Sequence, residues 1–339
     1  SDDLGCPTGI IKKAQADLAE ILGAKRAYIT TDGCTSGIMT LLYASLEFGN
    51  KIIVPRNSHK SVFNACRLLN IEPIIVQGVQ RDGIFLPPEP STLETLLAND
   101  VNISGIILTS PDYYGNLAPL NEYRLLMQKY KKLLLVDGAH GAHLAFGEDR
   151  PHYAGVYANA WVDGCHKTMP TLTQGALVLI NDEKLTERVE EGLSLFRTSS
   201  PSYPIMASVE YGVKYLYNNP KILKKARFLA GEIKNALSCL TVYETYDWTK
   251  LIIDFAPLGI SPTATQAGLE KRGIYAEMND GRRLLFYLSP CIDARMLTQL
   301  KNELLAISAQ KKYKGDVLNL PVLPTAERTY SFLFAQKQP

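Results

Sequence analysis

Short aliphatic runs recur through the first half of this chain, and most are followed by a polar turn and a helical stretch. Ala27 to Thr30, Lys51 to Pro55, Pro73 to Val76, Gly105 to Thr109, Lys132 to Val136, Ala160 to Val162 and Ala176 to Ile180 read as strands. A strand that is apolar throughout must be covered on both faces, and parallel strands need crossover helices that supply the cover. Helical spacing places such helices at 7–22, at about 33–46, and at 61–69, 91–98, 120–131 and 184–195. The alternation predicts an α/β protein: a large domain with a mainly parallel sheet flanked by helices.

After residue 195 the texture changes. Two long helical stretches, 204–218 and 221–240, precede a mixture of strands (250–255, 284–288) and helices (263–271, 294–309). This reads as a smaller C-terminal α+β domain, with the large domain over 1–225 and the small domain and tail over 226–339. The tail after Lys311 is rich in proline and polar residues and is expected to pack as an extended arm.

Charge narrows the function. Lysine and arginine number 36 against 34 acidic residues, a net charge of +2, which gives no electrostatic case for nucleic acid or an anionic membrane surface. No apolar run approaches the roughly 20 residues that span a bilayer. The opening Ser1-Asp2-Asp3-Leu4 lacks the pattern of a signal peptide. Six scattered cysteines at 6, 34, 66, 165, 239 and 291 form no CxxC pair and read as free thiols, so a cytoplasmic location is expected.

The chemistry concentrates at strand ends, where open α/β sheets place ligands. Asp137 ends one strand, in Val136-Asp137-Gly138-Ala139-His140-Gly141-Ala142-His143. Lys167 follows the next, in Gly164-Cys165-His166-Lys167-Thr168. A carboxylate and an amine so placed suit pyridoxal 5'-phosphate (PLP), which needs an acid group for its pyridine nitrogen and a lysine for its Schiff base. Asp32-Gly33-Cys34-Thr35-Ser36-Gly37 lies between a strand and a helix, where small residues and a helix N-terminus favour a phosphate; an ordinary helix cap is the competing reading. His59, in Asn57-Ser58-His59-Lys60-Ser61, follows the second strand, where an imidazole can stack on a pyridine ring. His140, His143 and His166 invite a metal, but they lack a carboxylate partner and an open-site pattern, and no metal is expected.

Together these segments resemble the Orn/Lys/Arg decarboxylase family, PLP enzymes of the aspartate-aminotransferase fold. The resemblance rests on Pro7 to Gln15, the Gly33 to Gly37 turn, Asn57 to Ser61, Asp137 to His143, His166-Lys167-Thr168 with Leu172-Thr173-Gln174, and Thr198 to Tyr203. It implies that Lys167 forms the Schiff base, Asp137 pairs with the pyridine nitrogen, and His59 and Ala139 lie on the two ring faces. It places His140 near the ring hydroxyl, and His166 beside the Schiff base as candidate acid. Gly33, Cys34 and Thr35 would hold the phosphate, and Thr198 would reach a phosphate in the partner of a homodimer whose active sites lie at the interface. The implied reaction is decarboxylation of lysine, ornithine or arginine to the amine and CO2, with Glu277 as a candidate contact for the distal cation.

The sequence departs from the family at several points. Gly164 and Cys165 stand where a hydroxyl residue is usual, as does Cys34, and Gly5-Cys6 stands where a histidine often precedes Pro-x-Gly. The family's upstream Pro-Gly-His and later Pro-Tyr-Pro-Pro-Gly-like stretches are absent from this sequence. Two other readings follow. One is transamination, with Arg282 or Arg283 clamping the substrate carboxylate; the other is a non-catalytic homologue that binds PLP or only dimerises.

Overall fold

The computed structural model describes residues 2–309 and 315–318. They form two compact units, one of residues 2–111 and 118–218, the other of 112–117 and the described residues from 219 on.

In the larger unit the chain runs through α1 (Ile10–Leu22), β1 (Arg26–Thr30), α2 (Gly33–Ser45), β2 (Lys51–Pro55), α3 (Lys60–Leu69) and β3 (Glu72–Val76). A short hairpin, β4 (Gln80–Arg81) with β5 (Ile84–Phe85), leads to α4 (Glu94–Asn99), β6 (Ile103–Thr109), α5 (Leu120–Tyr130) and β7 (Leu133–Gly138). Three 3-10 turns between Ala142 and Val156 precede β8 (Ala160–Asp163), α6 (Cys165–Thr168), β9 (Ala176–Ile180), α7 (Thr186–Phe196) and α8 (Tyr203–Asn218).

Seven strands make one sheet in the order β1-β9-β8-β7-β6-β2-β3. The run β3-β2-β6-β7-β8 is parallel, and β9 is antiparallel to both its neighbours. This is the mainly parallel sheet that the aliphatic runs predict, and β7, β8 and β9 are buried along their whole length. On one face Ile38, Leu41 and Leu42 of α2, Val62 and Ala65 of α3, and Val189 and Leu193 of α7 pack against Ile52, Val54, Leu135, Val162 and Val178. Each large aliphatic side chain so buried contributes about 1.5–3 kcal/mol. Helix α2 lies close to the sheet because Gly37 has no side chain: a Cβ there would sit 2.6 Å from Val162 Cγ1.

The smaller unit has α9 (Pro220–Ala236), β10 (Thr241–Val242), β11 (Lys250–Asp254), α10 (Pro262–Glu270), β12 (Met278–Asn279), β13 (Arg283–Tyr287) and α11 (Ala294–Ala309). Its antiparallel sheet, β10-β11-β13-β12, is covered by apolar residues of α9, α10 and α11, an α+β arrangement. Arg282 pairs with Asp254 at 2.7 Å and Arg283 with Asp280 at 3.0 Å. Glu277 is exposed and accepts from Tyr113 Oη at 2.7 Å.

Some sequence expectations shift. The helix expected to reach Leu240 stops at Ala236, where the Leu237 N–H turns back to Ile233 and Lys234 and residues 241–242 join the sheet. The stretch 91–98 divides into a 3-10 turn led by Pro90 and then α4. The tail expected as an extended arm lies outside the described residues, apart from 315–318.

Candidate active site

The parallel strands β6, β7 and β8 end at one level, so Thr109, Asp137 and Val162 are neighbours in register. Side chains in register on adjacent strands share a face. Asp137 is 2% exposed. Among the described residues, its carboxylate accepts one hydrogen bond, from Ala139 N–H at 3.1 Å. Burial raises its pKa, while that N–H, Lys167 and His59 pull it back. A buried carboxyl group with a single neutral donor favours a further, preferably cationic, N–H. The Thr109 hydroxyl beside it is buried with no hydrogen-bond partner.

Lys167 comes from the turn after β8, and its Nζ lies 3.1 Å from Nε2 of His140, which follows β7. Two glycines allow this approach. A Cβ on Gly138 would sit 2.7 Å from the Val162 carbonyl, and one on Gly164 would sit 2.3 Å from the Ala139 carbonyl. Gly164 therefore has a steric cause: the end of β7 fills the space that a serine side chain would need. His166 is pinned on both its backbone and its ring, since its N–H and Nδ1 both meet the Gly175 carbonyl, at 3.1 and 3.0 Å. A carbonyl only accepts, so Nδ1 carries a proton and Nε2 is left to exchange one. Burial holds the His166 pKa below its ordinary value.

Helix α2 packs on the end of β8 through Gly37 and Val162. Asp32, at its N-cap position, caps no amide of this helix; its carboxylate accepts instead from Thr198 N–H at 3.2 Å. Gly33 takes φ +69 with open space where a side chain would be. The Gly33 N–H is committed to the Gln174 carbonyl at 2.9 Å; the other amides of the first turn and the helix dipole suit an anion. Cys34 is buried beside this turn and its thiol is pushed up by burial, so it stays neutral; Thr35 is exposed. Thr198 is exposed, with its hydroxyl accepting from Ser200 N–H at 3.1 Å. Arg197 bonds the carbonyls of Ile29 and Leu4 and ties that segment to β1.

His59, rather than a serine, is the N-cap of α3: Nδ1 accepts from Ser61 N–H at 3.3 Å and meets Ser61 Oγ at 2.7 Å. That leaves the neutral ring protonated on Nε2. Partial desolvation lowers its pKa, with Lys167 and Lys60 adding to the effect and Asp137 opposing it.

The structure thus gathers Lys167, His140, Asp137, Ala139, Cys34 and His59 within reach of one another by contact or by charge, in the larger unit. A buried carboxyl group lacking a cationic donor, a lysine at a strand end and an uncapped helix terminus fit the pyridine, aldehyde and phosphate of PLP. Gly175 and Ser61, which fix the tautomers of two imidazoles, were not singled out in the sequence, where a glycine and a serine carry no chemical signal. Among the described residues no group of three or more His, Cys, Asp or Glu side chains is arranged to hold a metal.

Comparison with known proteins gives the family and the fold. Residues 1–255 match the model of the major domain of the Orn/Lys/Arg decarboxylases. The uncharacterized protein YaaO of Bacillus subtilis is 32% identical over 302 residues, covering 85% of this chain and 63% of YaaO. An arginine decarboxylase of the same organism is 29% identical over 354 residues, 97% of this chain and 72% of that protein. The lysine decarboxylase LdcF of Francisella novicida shares the fold, with a TM-score of 0.80 at 18% identity over 91% of this chain and 52% of its own. The chain therefore spans about half to three quarters of these relatives.

Proposed function

Because the chain belongs to the Orn/Lys/Arg decarboxylase family, with PLP as its cofactor, we propose that it decarboxylates a basic amino acid, lysine, ornithine or arginine, to the amine and CO2. The observation that carries this reading is the meeting of Lys167 and His140 at 3.1 Å beside the buried Asp137. PLP supplies an electron sink for the pair released when a bond to the substrate Cα breaks.

The residues divide the remaining work. Lys167 offers the amine, and His140 Nε2 stands ready to take its proton. Asp137 holds a ring N–H in a dry setting where a charge-assisted hydrogen bond is strong. The amides of Cys34 and Thr35 take the phosphate, with Gly33 holding the turn through its own N–H to the Gln174 carbonyl. His59 and Ala139 bound the ring on its two faces. His166 delivers a proton from Nε2 to the carbon that has lost CO2.

Transamination would use Arg282 or Arg283 as a carboxylate clamp, yet both already pair with aspartates inside the smaller unit. That commitment favours decarboxylation. Exposed apolar residues on the larger unit, among them Ile10, Leu172, Tyr203 and Tyr211, suit burial against a second copy, and a homodimer with active sites at its interface accords with the exposure of Thr198. Among the described residues no helix is long and apolar enough to cross a membrane.

The test is amine release from lysine, ornithine and arginine by the purified protein and by Lys167→Ala. The proposal expects amine from one of the three and none from the variant. Pyridoxamine phosphate accumulating instead would select transamination, and no turnover despite bound PLP would select a non-catalytic homologue.

A further inference from the structure

The Leu172-Thr173-Gln174 segment follows the lysine turn, and the chemistry above gives its side chains no task. Gln174 takes φ +77, a left-handed conformation. A residue with a side chain is strained there, and such strain persists only where the surroundings fix it. The Gln174 side chain is exposed, so the position acts through its backbone. Its carbonyl accepts from Gly33 N–H at 2.9 Å. The next carbonyl, of Gly175, meets both the N–H and Nδ1 of His166, at 3.1 and 3.0 Å. Two consecutive peptide units therefore hold the phosphate turn with one oxygen and the proton donor with the next.

Neighbouring elements keep both units in place. Strands β1 and β9 pair as far as Thr30 and Ala176, and the bond from Gly33 to Gln174 carries the pairing past the end of the ladder. Gly33 is also held at its carbonyl, which accepts from Ser36 Oγ at 3.2 Å, while Ser36 Oγ meets Thr30 Oγ1 at 2.9 Å. On the other side the loop is seated on α8. Leu172 N–H donates to Ser208 Oγ at 3.1 Å, and Gly175 N–H returns to the Leu172 carbonyl at 3.1 Å. A Cβ on Gly175 would sit 2.6 Å from Thr171 Cγ2 and 2.7 Å from Val209 Cγ2. If Gln174 left the left-handed region, its carbonyl would turn from Gly33 and the Gly175 unit would turn from the His166 ring.

We propose that Gln174 is a positioning residue whose left-handed backbone ties the phosphate turn to the His166 ring, so that an anion on the Cys34 and Thr35 amides and the Nδ1–H tautomer of His166 favour each other. The proposal rests on the reading of that turn as the phosphate site and of His166 as the proton donor. Coupling of this kind is reciprocal: phosphate steadies the ring, and the seated ring steadies the phosphate turn. With Nδ1–H held by Gly175, Nε2 stays free to exchange the proton that the reaction needs.

The test is titration of the full-length, PLP-free chain with inorganic phosphate, read by binding and by nitrogen NMR of the His166 ring, whose signal His166→Gln identifies. Gln174→Gly and Gln174→Asn accept a left-handed backbone, and Gln174→Val resists it. Phosphate should bind the natural, glycine and asparagine forms within about threefold of one another, and the valine form about tenfold more weakly. The affinity for PLP relative to pyridoxal, which lacks the phosphate, should fall by the same factor in the valine form. The His166 ring should be held as Nδ1–H in the first three and divide between its tautomers in the fourth. If Gln174→Val folds poorly, the natural protein still decides, because phosphate should shift its His166 signal toward the Nδ1–H form. Phosphate that binds the natural protein and leaves that signal unmoved would overturn the Gln174 role alone. So would equal phosphate affinity in the valine form, or losses in the glycine and asparagine forms as large as in valine. No phosphate binding by the natural protein would overturn the reading of the turn, and the Gln174 role with it.

Discussion

At the scale of single residues, the site depends on which atoms are left free to exchange protons. His166 has Nδ1–H committed to the Gly175 carbonyl and a pKa held down by burial, so its acid form exists mainly below the ordinary histidine value. If it is the proton donor, the limb of kcat that depends on it falls as pH rises through a value below about 6.5, and His166→Gln flattens that limb. Rates of amine release between pH 5 and 8 measure this, and a natural protein with no such limb would remove His166 from the role. Gly164 makes a second case. The absent hydroxyl looks in the sequence like a lost phosphate ligand, whereas the 2.3 Å approach to the Ala139 carbonyl gives it a steric cause. Gly164→Ser should therefore destabilise the protein by about 2 kcal/mol or more and weaken PLP binding, as read by thermal melting and PLP titration. A serine variant that binds PLP more tightly would contradict this.

At the scale of elements, the sheet was legible because its central strands are buried on both faces and carry continuous aliphatic runs, as β6, β7 and β9 do. Helices α2 and α3 were legible from their position after strands and from their turn residues. The 3-10 turns over 142–156 were not, since they have no apolar period and Pro151 interrupts them. The two-residue strands β4, β5, β10 and β12 are too short for a period of two to register. The pairing of Lys167 with His140 spans 27 residues and needs the β7 and β8 ends in place, so the sequence supplied both residues without their contact. One glycine sets how α2 meets the sheet. Gly37→Ala puts a Cβ 2.6 Å from Val162 and 3.0 Å from Val178. It should cost about 1–3 kcal/mol of stability and lower PLP affinity by displacing the first turn of the helix. Equal PLP affinity in the variant, measured by titration alongside a thermal melt, would show that the turn does not hold the phosphate.

At the scale of the whole molecule, the larger unit gathers the Schiff-base candidate, the pyridine-nitrogen partner and the helix terminus from segments between residues 33 and 167. That agrees with the family match over residues 1–255. The family was legible because Asp137 to His143 and His166-Lys167-Thr168 keep their order and spacing. The substrate was not, since the fold supports several reactions at one cofactor. The central claim is that Lys167 carries the cofactor, and borohydride reduction of the protein with PLP, followed by peptide mass mapping, tests it most directly. The account predicts a phosphopyridoxyl adduct on the peptide containing Lys167 and none in Lys167→Ala. An unmodified Lys167, or an adduct on another lysine, would contradict it.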